Sequence, residues 1–213
     1  QYPGSFMAWN ILGMASKGLG KSDQAIQAFT KVTELNPGFA DGYSNLGVAF
    51  EDQGKHERAI EAYNKAVQIN PNHAQSYYNM GNVLKNQGNL DEAVKSYRLA
   101  IKIKPDYVEA MNNMGLALDA QGHLDEAIAA YKKAISIKPN YADGYYNMGR
   151  LYWSMENLND AFKLMEWRWQ ANKQTIGTHL NSNKPTWTGE WNQKVFVWKE
   201  QGIGDEIMFC SIL

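Results

Sequence analysis

Along most of the chain, apolar residues recur three and four positions apart, as at Ala59, Tyr63 and Ala66. That spacing marks one buried face of a helix. The pattern comes in short blocks, each closed by a glycine or a proline. Prolines fall at Pro3, Pro37, Pro71, Pro105 and Pro139, and every interval is 34 residues. Glycines keep the same interval at Gly13, Gly47, Gly81, Gly115 and Gly149, and again at Gly20, Gly54, Gly88 and Gly122. Alanines keep it at Ala25, Ala59, Ala93, Ala127 and Ala161, and aromatics at Phe29, Tyr63, Tyr97 and Tyr131. Series that superpose at one period signal a repeat architecture. Each unit reads helix A, tight turn, helix B, tight turn.

Every position in the period has a physical task. Gly47 and its equivalents sit in mid-helix, where glycine costs about 1 kcal/mol relative to alanine. An unfavourable residue that recurs implies close approach of two helices. Ala59 and Ala66 supply small side chains on the facing helix, and Tyr63 fills the space between. Gly54, within Gln53-Gly54-Lys55, ends helix A where a left-handed cap is needed. Asp91-Glu92 and Asp125-Glu126 open helix B, where acids meet the positive end of the helix dipole. Asn70-Pro71 and Lys104-Pro105 stop it, because the residue before proline disfavours helical geometry.

This pattern resembles the tetratricopeptide-repeat (TPR) family over residues 6 to about 170. The resemblance implies an all-α fold, a right-handed α-α superhelix of about five helix pairs. The solenoid is expected over residues 1–170, with repeats at about 6–39, 40–73, 74–107, 108–141 and 142–170. Pro3-Gly4 matches Pro37-Gly38, a proline that closes a repeat. Pro3 is therefore expected to end an upstream repeat in a longer protein; the alternative is a chance proline in an N-terminal tail. At the other end the fifth unit decays. Glu156 stands at the turn glycine, Met165 at the aromatic, Arg168 at the small residue and Lys173 at the proline. Terminal repeats are commonly atypical, since one side meets no neighbour.

Solenoid curvature makes a groove lined mainly by helix A. Two residues before each mid-helix glycine stand Asn45, Asn79, Asn113 and Asn147, with Ile11 breaking the series in the first repeat. Asparagine is a mediocre helix former, so four at one register need a reason. An amide both donates and accepts, and a row of them suits the backbone of an extended peptide. The row resembles the asparagine ladder in the TPR domain of O-GlcNAc transferases, which implies that these four residues hold peptide backbone. The alternative is that they bond neighbouring helix backbones and stiffen the stack. Tyr78, Asn82, Asn112, Tyr146 and Arg150 are expected on the same face, with Tyr78 and Tyr146 as aromatic anchors. The lysine and arginine set with which TPR co-chaperones clamp a terminal carboxylate is replaced here by Asn, Ser, Asp and Tyr, which argues against chaperone tails.

Residues 171–193 read as a linker. Lys194-Val195-Phe196-Val197-Trp198 reads as a strand, followed by a glycine turn and an apolar helical start. Strand, glycine turn and helix open a nucleotide-type α/β domain, in which the turn admits a ligand to the backbone. Residues 194–213 are thus expected to begin a truncated α/β domain; the alternative is a C-terminal extension that caps the solenoid. The wording of this stretch resembles bacterial proteins that join TPR repeats to a glycosyltransferase-like domain of the GT-B type, and the first loop of heptosyltransferases. That resemblance implies a nucleotide or sugar loop at Gly202, Gly204 and Asp205, with Asp205 as the candidate general base of a parent enzyme. With one strand and no sugar-nucleotide site, the segment itself is expected to be inert.

Composition narrows the classes. The chain has 213 residues, 44% hydrophobic and 20% charged, with net charge −1. That balance gives no footprint for nucleic acid, and no apolar run approaches the ~20 residues of a membrane span. The single cysteine, Cys210, points to a reducing, cytoplasmic setting. His56, His73, His123 and His179 have no partner at metal-ligand spacing, so neither metal nor cofactor is expected. The expected partner is a protein or peptide, an extended peptide or a partner helix in the groove. Self-association through exposed repeat ends is an added possibility. The alternative function is the substrate-recruiting arm of a glycosyltransferase.

Overall fold

The computed structural model describes residues 4–164. Nine helices follow one another: α1 (Phe6–Gly18), α2 (Ser22–Leu35), α3 (Ala40–Glu51), α4 (His56–Ile69), α5 (Ala74–Asn86), α6 (Leu90–Ile103), α7 (Val108–Ala120), α8 (Leu124–Ile137) and α9 (Ala142–Ser154). A further helix, α10, begins at residue 158 and is described to residue 164. Among the described residues there is no strand. Odd-numbered helices are the A helices and even-numbered helices the B helices. Successive A helices start 34 residues apart.

The B helices carry the cleaner amphipathic pattern. In α4, Ala59, Ala62, Tyr63 and Ala66 are buried while Glu57, Glu61 and Lys65 are exposed. The A helices carry glycine at their centre because the facing aromatic ring lies on it. A Cβ added at Gly47 would stand 2.5 Å from the Tyr63 ring, at Gly81 2.6 Å from Tyr97, and at Gly115 2.6 Å from Tyr131. Those three rings are fully buried. The helix propensity lost at each glycine, about 1 kcal/mol, is offset by burial of a large side chain, about 2 kcal/mol or more.

The turns follow the same economy of residue types. Gly20, Gly54, Gly88 and Gly122 take φ of +70°, +69°, +80° and +79°. Each lets the next residue reach back into helix A, as when the Lys55 N–H donates to the Phe50 carbonyl at 2.9 Å, a Schellman closure. The fifth turn keeps this geometry without glycine. Glu156 adopts φ +60°, and the Asn157 N–H donates to the Tyr152 carbonyl at 2.9 Å. Ahead of the prolines, Asn70 (φ −127°, ψ 95°) and Lys104 (φ −121°, ψ 91°) leave helical geometry.

Successive A helices touch one another, whereas the backbones of successive B helices do not approach. The A side is therefore the shorter arc. The A helices form the concave wall and the B helices the convex one. A second seam ties the pairs together at the turns: Gln53 donates to Asp23 (2.7 Å), Gln87 to Glu57 (3.3 Å) and Gln121 to Asp91 (2.6 Å). The core runs along the stack in successive clusters instead of surrounding one centre.

Candidate functional site

The concave wall is built from registers that repeat down the A helices. The asparagine row lies between neighbouring A helices. Asn45, Asn113 and Asn147 are half-buried, and Asn79 is 8% exposed. Asn45 Nδ2 donates to Asn10 Oδ1 (3.1 Å), Asn113 Nδ2 to Asn82 Oδ1 (2.9 Å) and Tyr78 Oη (3.3 Å), and Asn147 Nδ2 to Asn112 Oδ1 (2.9 Å). Asn79 Oδ1 accepts from Gln75 Nε2 (2.8 Å). The partners are side chains of the preceding A helix or the same one, not helix backbones as the structural alternative expected. These bonds fix each amide at one position in each of the second to fifth repeats.

The wall brings together most of the residues expected there. Asn82 accepts from both Asn113 and the Tyr97 hydroxyl (2.8 Å). Tyr78 is half-buried, its ring 4.9 Å from that of Tyr107 and 6.1 Å from that of Tyr97. Asn112 is buried, Tyr146 is half-buried and Arg150 is exposed. Gly202, Gly204, Asp205, the linker at 171–193 and the expected strand at 194–198 lie outside the described residues. Among the described residues no group of three or more His, Cys, Asp or Glu side chains could hold a metal ion. No described helix is long and apolar enough to cross a membrane.

A second feature of the wall was not anticipated. The hydroxyls of the buried tyrosines reach through from helix B to the groove side. Tyr63 Oη donates to Glu51 Oε2 at 2.9 Å. Burial, reinforced by the Glu51 carboxylate, lifts this phenol far above its ordinary value, and the Asn79 amide opposes the shift. Tyr97 has the same relation to Asn113. Tyr131 departs from the series: its hydroxyl is buried and has no hydrogen-bond partner. Burial and then Asp119 raise its pKa, and Arg150 pulls it back. In sequence the signal was Leu116, an apolar residue at the register where Asn82 accepts from Tyr97.

Charge on the wall is uneven. The A helices and their caps carry Asp41, Glu51, Asp52, Glu109, Asp119 and Asp143 against Lys17, Lys85 and Arg150, and His73 Nε2 lies 2.8 Å from Asp41 Oδ1. The bases are largely engaged. Lys17 lies 3.8 Å from Asp52, and Arg150 Nη2 lies 3.1 Å from Asp119 Oδ2. Burial lowers the pKa of Lys85. Glu109 and Asp143 form no ion pair among the described residues, and both are exposed.

Comparison with known proteins agrees with this architecture. A crystal structure of MamA is 29% identical and covers 77% of this chain and 96% of its own, with a TM-score of 0.71. The structure of pilF from Pseudomonas aeruginosa is 23% identical, with coverage of 78% and 76% and a TM-score of 0.72. YrrB, described as a TPR protein with an unusual peptide-binding site, is 20% identical, with coverage of 80% and 88% and a TM-score of 0.65. The latter two likenesses establish the fold alone. No curated protein matches the chain. A family model for the TPR repeat matches residues 18–54, 52–88, 81–122 and 120–155, and with the period, turn glycines and proline stops all in place, the chain belongs to the TPR repeat family.

Proposed function

We propose that this protein is an interaction scaffold that holds an extended peptide along the wall of A helices. The observation that carries the proposal is the row of asparagine amides, one in each of the second to fifth repeats, three of them held by bonds between repeats. Peptide groups in an extended chain need donors and acceptors that are already oriented, because ordering flexible side chains on binding costs free energy. Three of the four asparagines are only half-buried and keep part of their surface accessible. YrrB, of like fold, carries a peptide-binding site. The scaffold is placed in the cytoplasm on the ground of its single cysteine.

The test is the double change Asn113→Ala with Asn147→Ala, assayed by fluorescence anisotropy against a labelled library of unstructured peptides. Losing two oriented amides removes about 2 kcal/mol of binding, or roughly thirtyfold. The melting temperature should fall by only a few degrees. Unchanged binding per folded molecule would assign the row to stack stiffness alone.

A narrower form of the proposal is the substrate-recruiting arm of a glycosyltransferase. It draws on the sequence at Gly202, Gly204 and Asp205, and it assigns no catalytic step to this segment. A second use is self-association between copies through exposed repeat ends.

A further inference from the structure

Three junctions between successive repeats can be compared at one point, where the helix B tyrosine hydroxyl meets the concave wall. At the first, Tyr63 Oη donates to Glu51. At the second, Tyr97 Oη donates to Asn82. At the third, Tyr131 is fully buried and its hydroxyl has no partner. Two substitutions produce this. Leu116 occupies the register of Asn82, and Asp119 occupies the register of Glu51 with a side chain one methylene shorter. Asp119 is instead held by Arg150 of the next repeat at 3.1 Å. The asparagine that could have approached from the fifth repeat, Asn147, donates to Asn112.

A buried hydroxyl without a partner forgoes a hydrogen bond and still loses its hydration, about 1–3 kcal/mol. It is kept here beside a carboxylate and a guanidinium at the edge of the groove, where a ligand group could use it. The cover over it is weak. The Asp119 and Arg150 side chains are 22% and 52% exposed, and such a surface pair contributes at most about 1 kcal/mol. The field on the wall selects the sign of the incoming group. The A helices and their caps carry six carboxylates against three bases and His73, which pairs with Asp41, and Glu109 and Asp143 have no ion pair among the described residues. An anionic ligand would meet that field unfavourably, and a cation would be drawn in.

We infer that the junction of α7, α8 and α9 is a subsite for a lysine side chain of the bound peptide, whose ammonium displaces Arg150 from Asp119 and hydrogen-bonds the Tyr131 hydroxyl. A compact ammonium has three donors on one atom. It can serve Asp119 and Tyr131 together, whereas Arg150 serves only Asp119. Arg150 then turns to solvent, where its charge is hydrated. The inference rests on the proposed peptide groove and names the side chain that the groove selects.

The test uses three labelled Gly-Ser-Ala peptides that differ at one central residue: lysine, norleucine or glutamate. Anisotropy titrations should give the lysine peptide about tenfold tighter binding than the norleucine peptide, the effect of one charge-assisted bond, with glutamate weakest. Tyr131→Phe should reduce the lysine preference severalfold without lowering the melting temperature, because no bond is lost in the free protein. Tyr63→Phe should do the reverse, lowering the melting temperature and leaving the preference intact. Asp119→Asn should remove the preference. Equal binding of all three peptides, or a preference untouched by Tyr131→Phe, would overturn the subsite while leaving the groove standing. Failure of all three to bind would overturn the groove and the subsite together.

Discussion

The second to fourth repeats and the units that flank them are made from the same 34-residue plan but solve it differently. In the second to fourth repeats the central glycine, the turn glycine and the seam glutamine all find their partners, although the Tyr131 hydroxyl does not. The central glycine has a tyrosine ring, the turn glycine has positive φ, and a glutamine after helix A reaches an acid on the preceding pair. At α1 the register of Leu46, Met80, Met148 and the half-buried Met114 is held by Leu12. The first three are buried, and Leu12 is exposed. Ile11 replaces the asparagine, and Leu19 replaces the seam glutamine, exposed as well. At the fifth turn Glu156 keeps the left-handed geometry that glycine keeps elsewhere, and Met155 replaces the glutamine. A repeat is therefore not a self-sufficient unit. Each position is satisfied by the neighbouring repeat, and its residue type changes where the neighbour does.

The contrast can be broken most strongly in the middle. Gly81→Ala places a Cβ 2.6 Å from the Tyr97 ring, and both sides of that contact are buried. We expect a loss of about 3 kcal/mol in urea unfolding. A loss under about 0.5 kcal/mol would show that the ring yields freely and that the central glycine is not a packing requirement.

The next effect concerns α1. If its apolar surface joins copies, sedimentation of the wild-type protein should show a mass that rises with concentration. The pair Ile11→Asn with Leu12→Lys should hold it at the monomer. A constant wild-type mass would remove self-association from the account. The smallest effect is at the decayed turn. Glu156→Gly relieves a left-handed conformation that side chains disfavour, a gain of about 1 kcal/mol, visible as a higher melting temperature. No gain, or a loss, would mean that Glu156 contributes a compensating interaction and that the turn is not strained.

Much of this fold is legible one residue at a time. Gly54 and Gly88 announce the turns, Pro71 and Pro105 the stops, and Ala59 with Tyr63 the buried face, because each acts through local backbone geometry or helical periodicity. The asparagine row was legible as a row, but its bonding was not. Asn45 meets Asn10, Asn113 meets Asn82 and Tyr78, and Asn147 meets Asn112. Asn45 and Asn147 thus share one kind of partner, Asn113 finds a second, and Asn79 turns to Gln75 of its own helix. Which atom lies opposite depends on the residue some thirty positions earlier and on how closely two helices approach. The Tyr131 hydroxyl was hidden for the same reason. Its isolation needs Leu116, the shorter Asp119 and the reach of Arg150 all at once.

The amino-acid sequence by itself determined the period, the order of helices and turns, and the close approach of two helices at each central glycine. These follow from steric rules that act within one repeat. The helix A lining of the groove was expected from the repeat, and only the tertiary structure decided how the amides are shared and which hydroxyl is left over. The curvature is the difference between A helices that touch and B helices that do not. That difference, and every bond across a junction, is a property of two repeats together.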